Sequence, residues 1–177
     1  MIPYLILAIS PLIISLFFKN MSSEDGEKRD KSQKNYLFVC GFVIFLFLAL
    51  RNKSLGSTDT RNYYNMMKRA IECESFSSYY IKDGVEAGFQ LFVYVLSRIF
   101  KSPQMLLVVA AAIYMISVCF CVRRNSDDVV FSLTMYITLG LMQFHMQGMR
   151  QSIAMSICLF AYEFAKRKKI LPFAILV

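Results

Sequence analysis

The sequence predicts an all-α, polytopic transmembrane helical protein with a short re-entrant or interfacial helix, and three observations predict it. Of the 177 residues, 56% are hydrophobic. The apolar residues fall in blocks of about 15 to 20, close to the length a helix needs to cross about 30 Å of hydrocarbon. The charges lie between these blocks, not at the period of 2 or 3.6 that gives each element of a soluble domain a wet face.

Taken in order, Ile2 to Phe18 is the first span, kinked near its middle by Pro11. It lacks a positive n-region and a small-residue cleavage site, so it reads as a retained span and not a removable signal. Lys19 to Asn35 is rich in Ser, Glu, Asp, Lys and Arg and reads as a solvated linker without a core. Tyr36 to Leu50 is the second span. Arg51 to Glu86 is the longest polar stretch. Within it, Ser57-Thr58-Asp59-Thr60 offers helix N-caps, and Tyr64, Met67, Lys68 and Ile71 follow at helical spacing, which predicts a short helix along the interface.

Ala87 to Phe100 is too short to cross comfortably, since at about 1.5 Å per residue it covers about 21 Å. Gln104 to Val122 is the strongest span. Its nine Leu, Ile, Val and Phe residues contribute roughly −4 kcal/mol to insertion. Val129 to Met146 is another, and Met149 to Ala165 is long enough although it carries Arg150, Gln151 and Glu163. From Ile170 an apolar run begins that is too short to cross. The whole reads as one membrane domain over 1–177, the N-terminal part of a longer protein.

The net charge is +8, with 20 Lys and Arg residues. These cluster beside apolar blocks, at Lys19 to Lys34, at Arg123 and Arg124, and at Lys166 to Lys169. Flanking charge of this kind sets orientation and meets anionic lipid headgroups; no nucleic-acid module accompanies it. If 87–100 dips and returns, all three clusters share one side, 11 of the 20 cations. The positive-inside rule then makes that side cytoplasmic and the N-terminus external. If 87–100 crosses, the later two clusters fall outside. The five cysteines form no CxxC pair and have no histidine at ligand spacing, so they read as small apolar fillers. Neither a metal nor a cofactor is expected.

On the re-entrant reading three polar groups share the external side. The first runs from Arg51 through Asp59 to Arg61. It is either a headgroup-level cap with snorkelling cations or a phosphate-diester receptor, with Asp59 capping a helix or acting as a base. The second, Asp83 to Phe89, presents Glu86 at the entry to an apolar block. Glu86 is either an acid placed well against a helix dipole or a general base whose pKa is raised at the mouth of a re-entrant helix. The third runs from Gln143 to Gln151. A helix continuing through Gly148 would align Gln143, Gln147, Arg150 and Gln151 in one stripe facing a cavity; a break at Gly148 would leave Arg150 to snorkel. Gly148, Ser152 and Ser156 read as a close-packing face. His145 alone indicates nothing. The residues argue against soluble-type enzyme classes, because no Gly-rich phosphate loop, Ser-His-Asp set or HExxH motif is present.

Arg51, Gly56-Ser57-Thr58-Asp59-Thr60 with Tyr63-Tyr64, Glu86-Ala87-Gly88-Phe89, and Met149-Arg150-Gln151-Ser152-Ile153-Ala154 together resemble the EpsG family of Wzy-like exopolysaccharide polymerases. The family pattern is Arg, then Gly-Thr-Asp with a following Tyr, then Glu-Pro-Gly-Phe, then Arg-Gln-Gly or Arg-Gln-Ser with Ile-Ala. Here Ser57 is inserted after Gly56 and Ala87 stands in place of the proline. Family members are about twice as long. The resemblance implies a multi-span protein of the bacterial cytoplasmic (inner) membrane. It would transfer a glycan from a polyprenyl pyrophosphate carrier to a lipid-linked repeat unit, alongside other polysaccharide assembly proteins. It assigns Arg51, Arg61, Tyr64, Arg150 and Gln151 to substrate and Asp59 or Glu86 to base catalysis. An exporter or flippase of lipid-linked sugars, and a non-catalytic membrane partner of such a system, are the competing readings.

Overall fold

The computed structural model describes residues 2–18, 21, 25–51, 58–81, 85–166 and 168. Among these every regular element is helical: α1 Ile2–Ser15, α2 Gly26–Ala49, α3 Thr58–Glu72, α4 Phe76–Tyr79, α5 Ala87–Ile99, α6 Gln104–Asn125, α7 Val129–Thr138, α8 Leu141–Gln147 and α9 Met149–Lys166. Two of them, α2 and α6, are each long and apolar enough to cross a bilayer, and α7 with α8 reaches that length as a bent pair. The chain is thus an all-α membrane protein. The Gly56-Ser57 turn, Asp83, Gly84 and the apolar run from Ile170 lie outside the described residues.

The central post is α6, which runs antiparallel to α2. At one end Gln104 Nε2 donates to the carbonyls of Ala49 and Arg51, at 2.7 and 3.3 Å. At the other end Arg123 Nη2 donates to the Asp30 carboxylate at 3.2 Å. The helices meet tightly at Gly41, where a side chain would put its Cβ 2.7 Å from Cys119 Sγ. Two cores share α6. Ala111, Tyr114, Met115 and Val118 pack with α1, α2, α7 and α8, while Leu106, Leu107 and Ala110 pack with α3, α5 and Met149.

In α2 the structure departs from the linker expected over Lys19 to Asn35. The helix starts at Gly26 and runs unbroken into the apolar block. Asp25 caps it, accepting from the backbone N–H groups of Glu27 and Lys28, and pairs with Lys28 Nζ at 2.9 Å. Ion pairing and a cap hold as helix what composition alone reads as solvated chain. In α1, Pro11 removes the N–H that would bond the Leu7 carbonyl, and Ser10 Oγ donates to that carbonyl at 2.7 Å instead. Tyr36 OH donates to the Pro11 carbonyl at 3.1 Å, tying the middle of α1 to α2.

The 129–146 block is one run in sequence and two helices in space, bent by 49°. The break is at Gly140, whose φ of 79° is left-handed and accessible to glycine at no steric cost. Chain direction through α7, α8 and α9 brings Glu163 and Lys166 back beside Asn125, at 2.7 and 2.8 Å. Ser152 and Ser156 are buried along α9, their hydroxyls returned to the carbonyls one turn back, which lets α9 lie close to its neighbours.

Gly41→Val is expected to lower stability by about 1–3 kcal/mol through overpacking. Thermal unfolding in mild detergent measures this. Adding Cys119→Ala in the same chain restores most of the loss.

Candidate functional site

The α3–α5 segment forms a layer over the N-terminal half of α6. Its buried face is Thr60, Tyr63, Met66, Met67 and Ala70, one step round from the expected face of Tyr64, Met67, Lys68 and Ile71. Ser97 Oγ donates to the Ala70 carbonyl at 3.2 Å. Arg98 donates to the carbonyls of Ala70 and Cys73, closing the C-terminal end of α3 where a cation is favoured. Both ends of α5 stay near one end of the bundle. Glu86 at its start meets α9, and the chain beyond Phe100 reaches Gln104 beside Ala49.

Buried Gln90 braces the approach to α5. Its Oε1 accepts from Ile81 N–H at 3.0 Å, and its Nε2 donates to the carbonyls of Ile81 and Val85 at 2.9 and 2.5 Å. Those bonds fix Glu86, the residue that precedes α5. Arg150, the second residue of α9, then joins three elements. Its Nη1 donates to Glu86 Oε2 at 2.5 Å and its Nε to Tyr63 OH at 3.4 Å. The Tyr63 ring in turn meets Phe89 edge-on at 5.8 Å. Thr60 Oγ1 donates to the Met146 carbonyl at 3.5 Å, at the end of α8. Parts of the three expected constellations are therefore in one place.

Glu86 departs from expectation in its acidity. It is exposed, not set in an apolar mouth, and the hydrogen bond from Arg150 holds its pKa below the ordinary carboxylate value. Charge pairing, not desolvation, governs it.

The helix does not run through Gly148. It stops at Gln147, with Gly148 N–H donating to the Phe144 carbonyl, and α9 restarts at Met149. The four-residue polar stripe is accordingly split: Gln143, Gln147 and Gln151 are exposed, and Arg150 turns toward Glu86. His145 faces inward. It is fully buried, its ring stacked on Tyr114 with centroids 4.2 Å apart and planes within 5°. Arg51 is buried too and lies within electrostatic reach of His145. Beside it, Gln104 Nε2 donates to the Arg51 carbonyl at 3.3 Å.

Asp59 and Arg61 are exposed on the first turn of α3, with no hydrogen bond to the Glu86–Arg150 pair among the described residues. Tyr64 is half-buried on a neighbouring face. Tyr63, its sequence neighbour, is the tyrosine that receives Arg150. Sequence reasoning also passed over Thr60, Gln90 and His145. The first two carry a signal, a polar residue on the buried face of an amphipathic helix; His145 carries none without Tyr114 beside it. No group of His, Cys, Asp and Glu able to hold a metal occurs among the described residues.

The EpsG family matches residues 34–177. The chain belongs to the EpsG family. The match covers α2 from Lys34 onward and every later element, and it agrees with the resemblance carried by Arg51, Glu86 and Arg150. None of the curated proteins and none of the solved structures matches this EpsG-family chain.

Two measurements check the site. In a cysteine-free full chain, Asp59→Cys and Gln151→Cys are expected to be labelled by an impermeant maleimide from one compartment, and Asp127→Cys from the other. Carboxylate NMR of Glu86 in lipid is expected to give a midpoint below its ordinary 4.5, returning to that value in Arg150→Ala. A lowered folded-state pKa means that the pair's contribution is present above the ordinary value and is lost as pH falls through the folded one. The pair is therefore intact throughout pH 5 to 8.

Proposed function

We propose that this protein is a membrane polymerase of extracellular or capsular polysaccharide, transferring a glycan from a polyprenyl pyrophosphate carrier to a lipid-linked repeat unit at the outer face of the bacterial cytoplasmic membrane. The observation that carries the reading is the meeting of Arg150 with Glu86 and Tyr63, at the end of the bundle away from the three basic clusters. The positive-inside rule supports a cytoplasmic position for those clusters, and on that reading Arg150, Glu86 and Arg51 would face outside, with the N-terminus.

The chemistry suits such a site. A hydroxyl of the acceptor sugar loses its proton to a carboxylate, its oxygen attacks the anomeric carbon, and the bond from that carbon to the pyrophosphate oxygen breaks. The pyrophosphate leaves with one additional negative charge on the oxygen released from the anomeric carbon, a charge suited to guanidinium groups, which bind phosphate bidentately. Arg150, Arg51 and Arg61 would take the leaving group, with Gln151 and Tyr64 positioning the sugar. Glu86, already deprotonated, would be the base, and Asp59 the alternative. In the resting state Arg150 donates to one oxygen of the exposed Glu86 carboxylate. Phosphate arriving at Arg150 would displace that carboxylate and raise its basicity when the donor is bound.

Glu86→Gln in the full-length protein is expected to slow polymerisation by about 10²- to 10⁴-fold. Arg150→Ala should shorten the polymer to single repeat units displayed outside, and Arg150→Lys should restore little, since an ammonium lacks the planar fork. Normal polymer length in both Glu86→Gln and Arg150→Ala would defeat the assignment. Substrate accumulating inside the cell would indicate an exporter instead.

A further inference from the structure

A second feature lies at the opposite end of the molecule and does not rest on the polymerase reading. Between α2 and α6 runs an apolar groove of about 410 Å³, with Phe38, Phe42 and Phe45 on one wall, Ala112 and Ile116 on the other, and Lys34 and Arg123 at its mouth. We propose that this groove binds one anionic phospholipid of the leaflet at the basic end, its acyl chain between the helices and its phosphate between Lys34 and Arg123.

The groove exists because of a packing choice. Gly41 has no side chain, and Cys119 presses against it, so the helix surfaces dip where they touch. The walls stand out into the surroundings: Phe38 is 74% exposed, Phe42 50% and Ile116 62%. Phe38 and Phe42 stack parallel, 6.4 Å apart, and form a flat ridge along the dip.

Length favours a lipid chain over a partner helix. Eleven residues separate Lys34 from Phe45 on α2, and eleven separate Ala112 from Arg123 on α6. At about 1.5 Å per residue each wall is about 16 Å long, close to one leaflet, half of the roughly 30 Å hydrocarbon thickness. A helix from another chain would need the seam to continue across the whole bilayer, and the groove stops near the middle.

Charge selects the headgroup. Lys34 and Arg123 stand one on each helix at the same end of the groove, and the fork of a guanidinium suits a phosphate. Arg123 already bonds Asp30, but both side chains are well exposed, and an exposed pair holds weakly. The guanidinium has five N–H donors, of which the Asp30 contact uses those on Nη2 alone. A phosphate between Lys34 and Arg123 would clamp α2 to α6 from outside, and the further cations on the first turns of α2 favour an anionic headgroup over a zwitterionic one.

Native mass spectrometry of the full chain in mild detergent, with phosphatidylglycerol and phosphatidylcholine supplied equally, tests this. One phosphatidylglycerol should be retained per chain, at least tenfold in preference to phosphatidylcholine. Lys34→Gln with Arg123→Gln leaves the apolar packing intact and should cut retention about tenfold. Ala112→Phe fills the groove and should abolish it. The proposal is overturned by no retention in the unsubstituted protein, by equal retention of the two lipids, by unchanged retention in the charge variant, or by disulfide crosslinking of Phe42→Cys between two copies.

Discussion

The antiparallel seam between α2 and α6 is the constraint on which the other elements depend. At Gly41 an added Cβ would lie 2.7 Å from Cys119 Sγ, and this contact, with the bonds at either end, holds the two helices in register. Arg51 must then lie beside Gln104, and Asp30 beside Arg123. One end of the molecule then holds buried Arg51 and His145, and the other holds Arg123 and Arg124. The α3–α5 layer sits on the first because α6 offers Leu106, Leu107 and Ala110 there, and α7 with α9 complete the second because Glu163 finds Arg124 and Asn125.

A carboxylate inside an apolar helix is costly unless it is paired and hydrogen-bonded. Glu163 meets that condition through two neighbours at the end of α6, which accounts for its place in an otherwise apolar run. Glu86 is the opposite case. It is open to water, so its pairing with Arg150 reflects orientation more than stability. The bracing bonds of Gln90 and the Tyr63 hydroxyl set that orientation, and an acid and a cation held face to face by separate helices have the character of a prepared site more than of a structural tie.

The membrane class, the strongest spans and the three polar groups were legible because each rests on local composition. Arg51, Glu86 and Arg150 stand out as charges at the ends of apolar runs. What was not legible depends on partners far away in the chain. Arg150 and Glu86 are 64 residues apart, and no periodicity announces that they touch. The choice of Tyr63 over Tyr64 turns on a rotation of α3 that only its packing on α6 decides. Local signals were also outvoted: the charged run at 26–35 is helical because Asp25 caps it, and the 129–146 block bends because Gly140 takes a backbone angle that its apolar neighbours conceal.

One helix serves both ends. The residues of α6 that floor the layer beneath Arg150 and those that flank the groove at Gly41 belong to a single rod of 22 residues, stiff on the scale of the bilayer. Any free energy by which occupancy at one face alters affinity at the other must act equally in the reverse direction. A lipid held between α2 and α6 and a ligand held beside Arg150 would therefore both bear on this one helix.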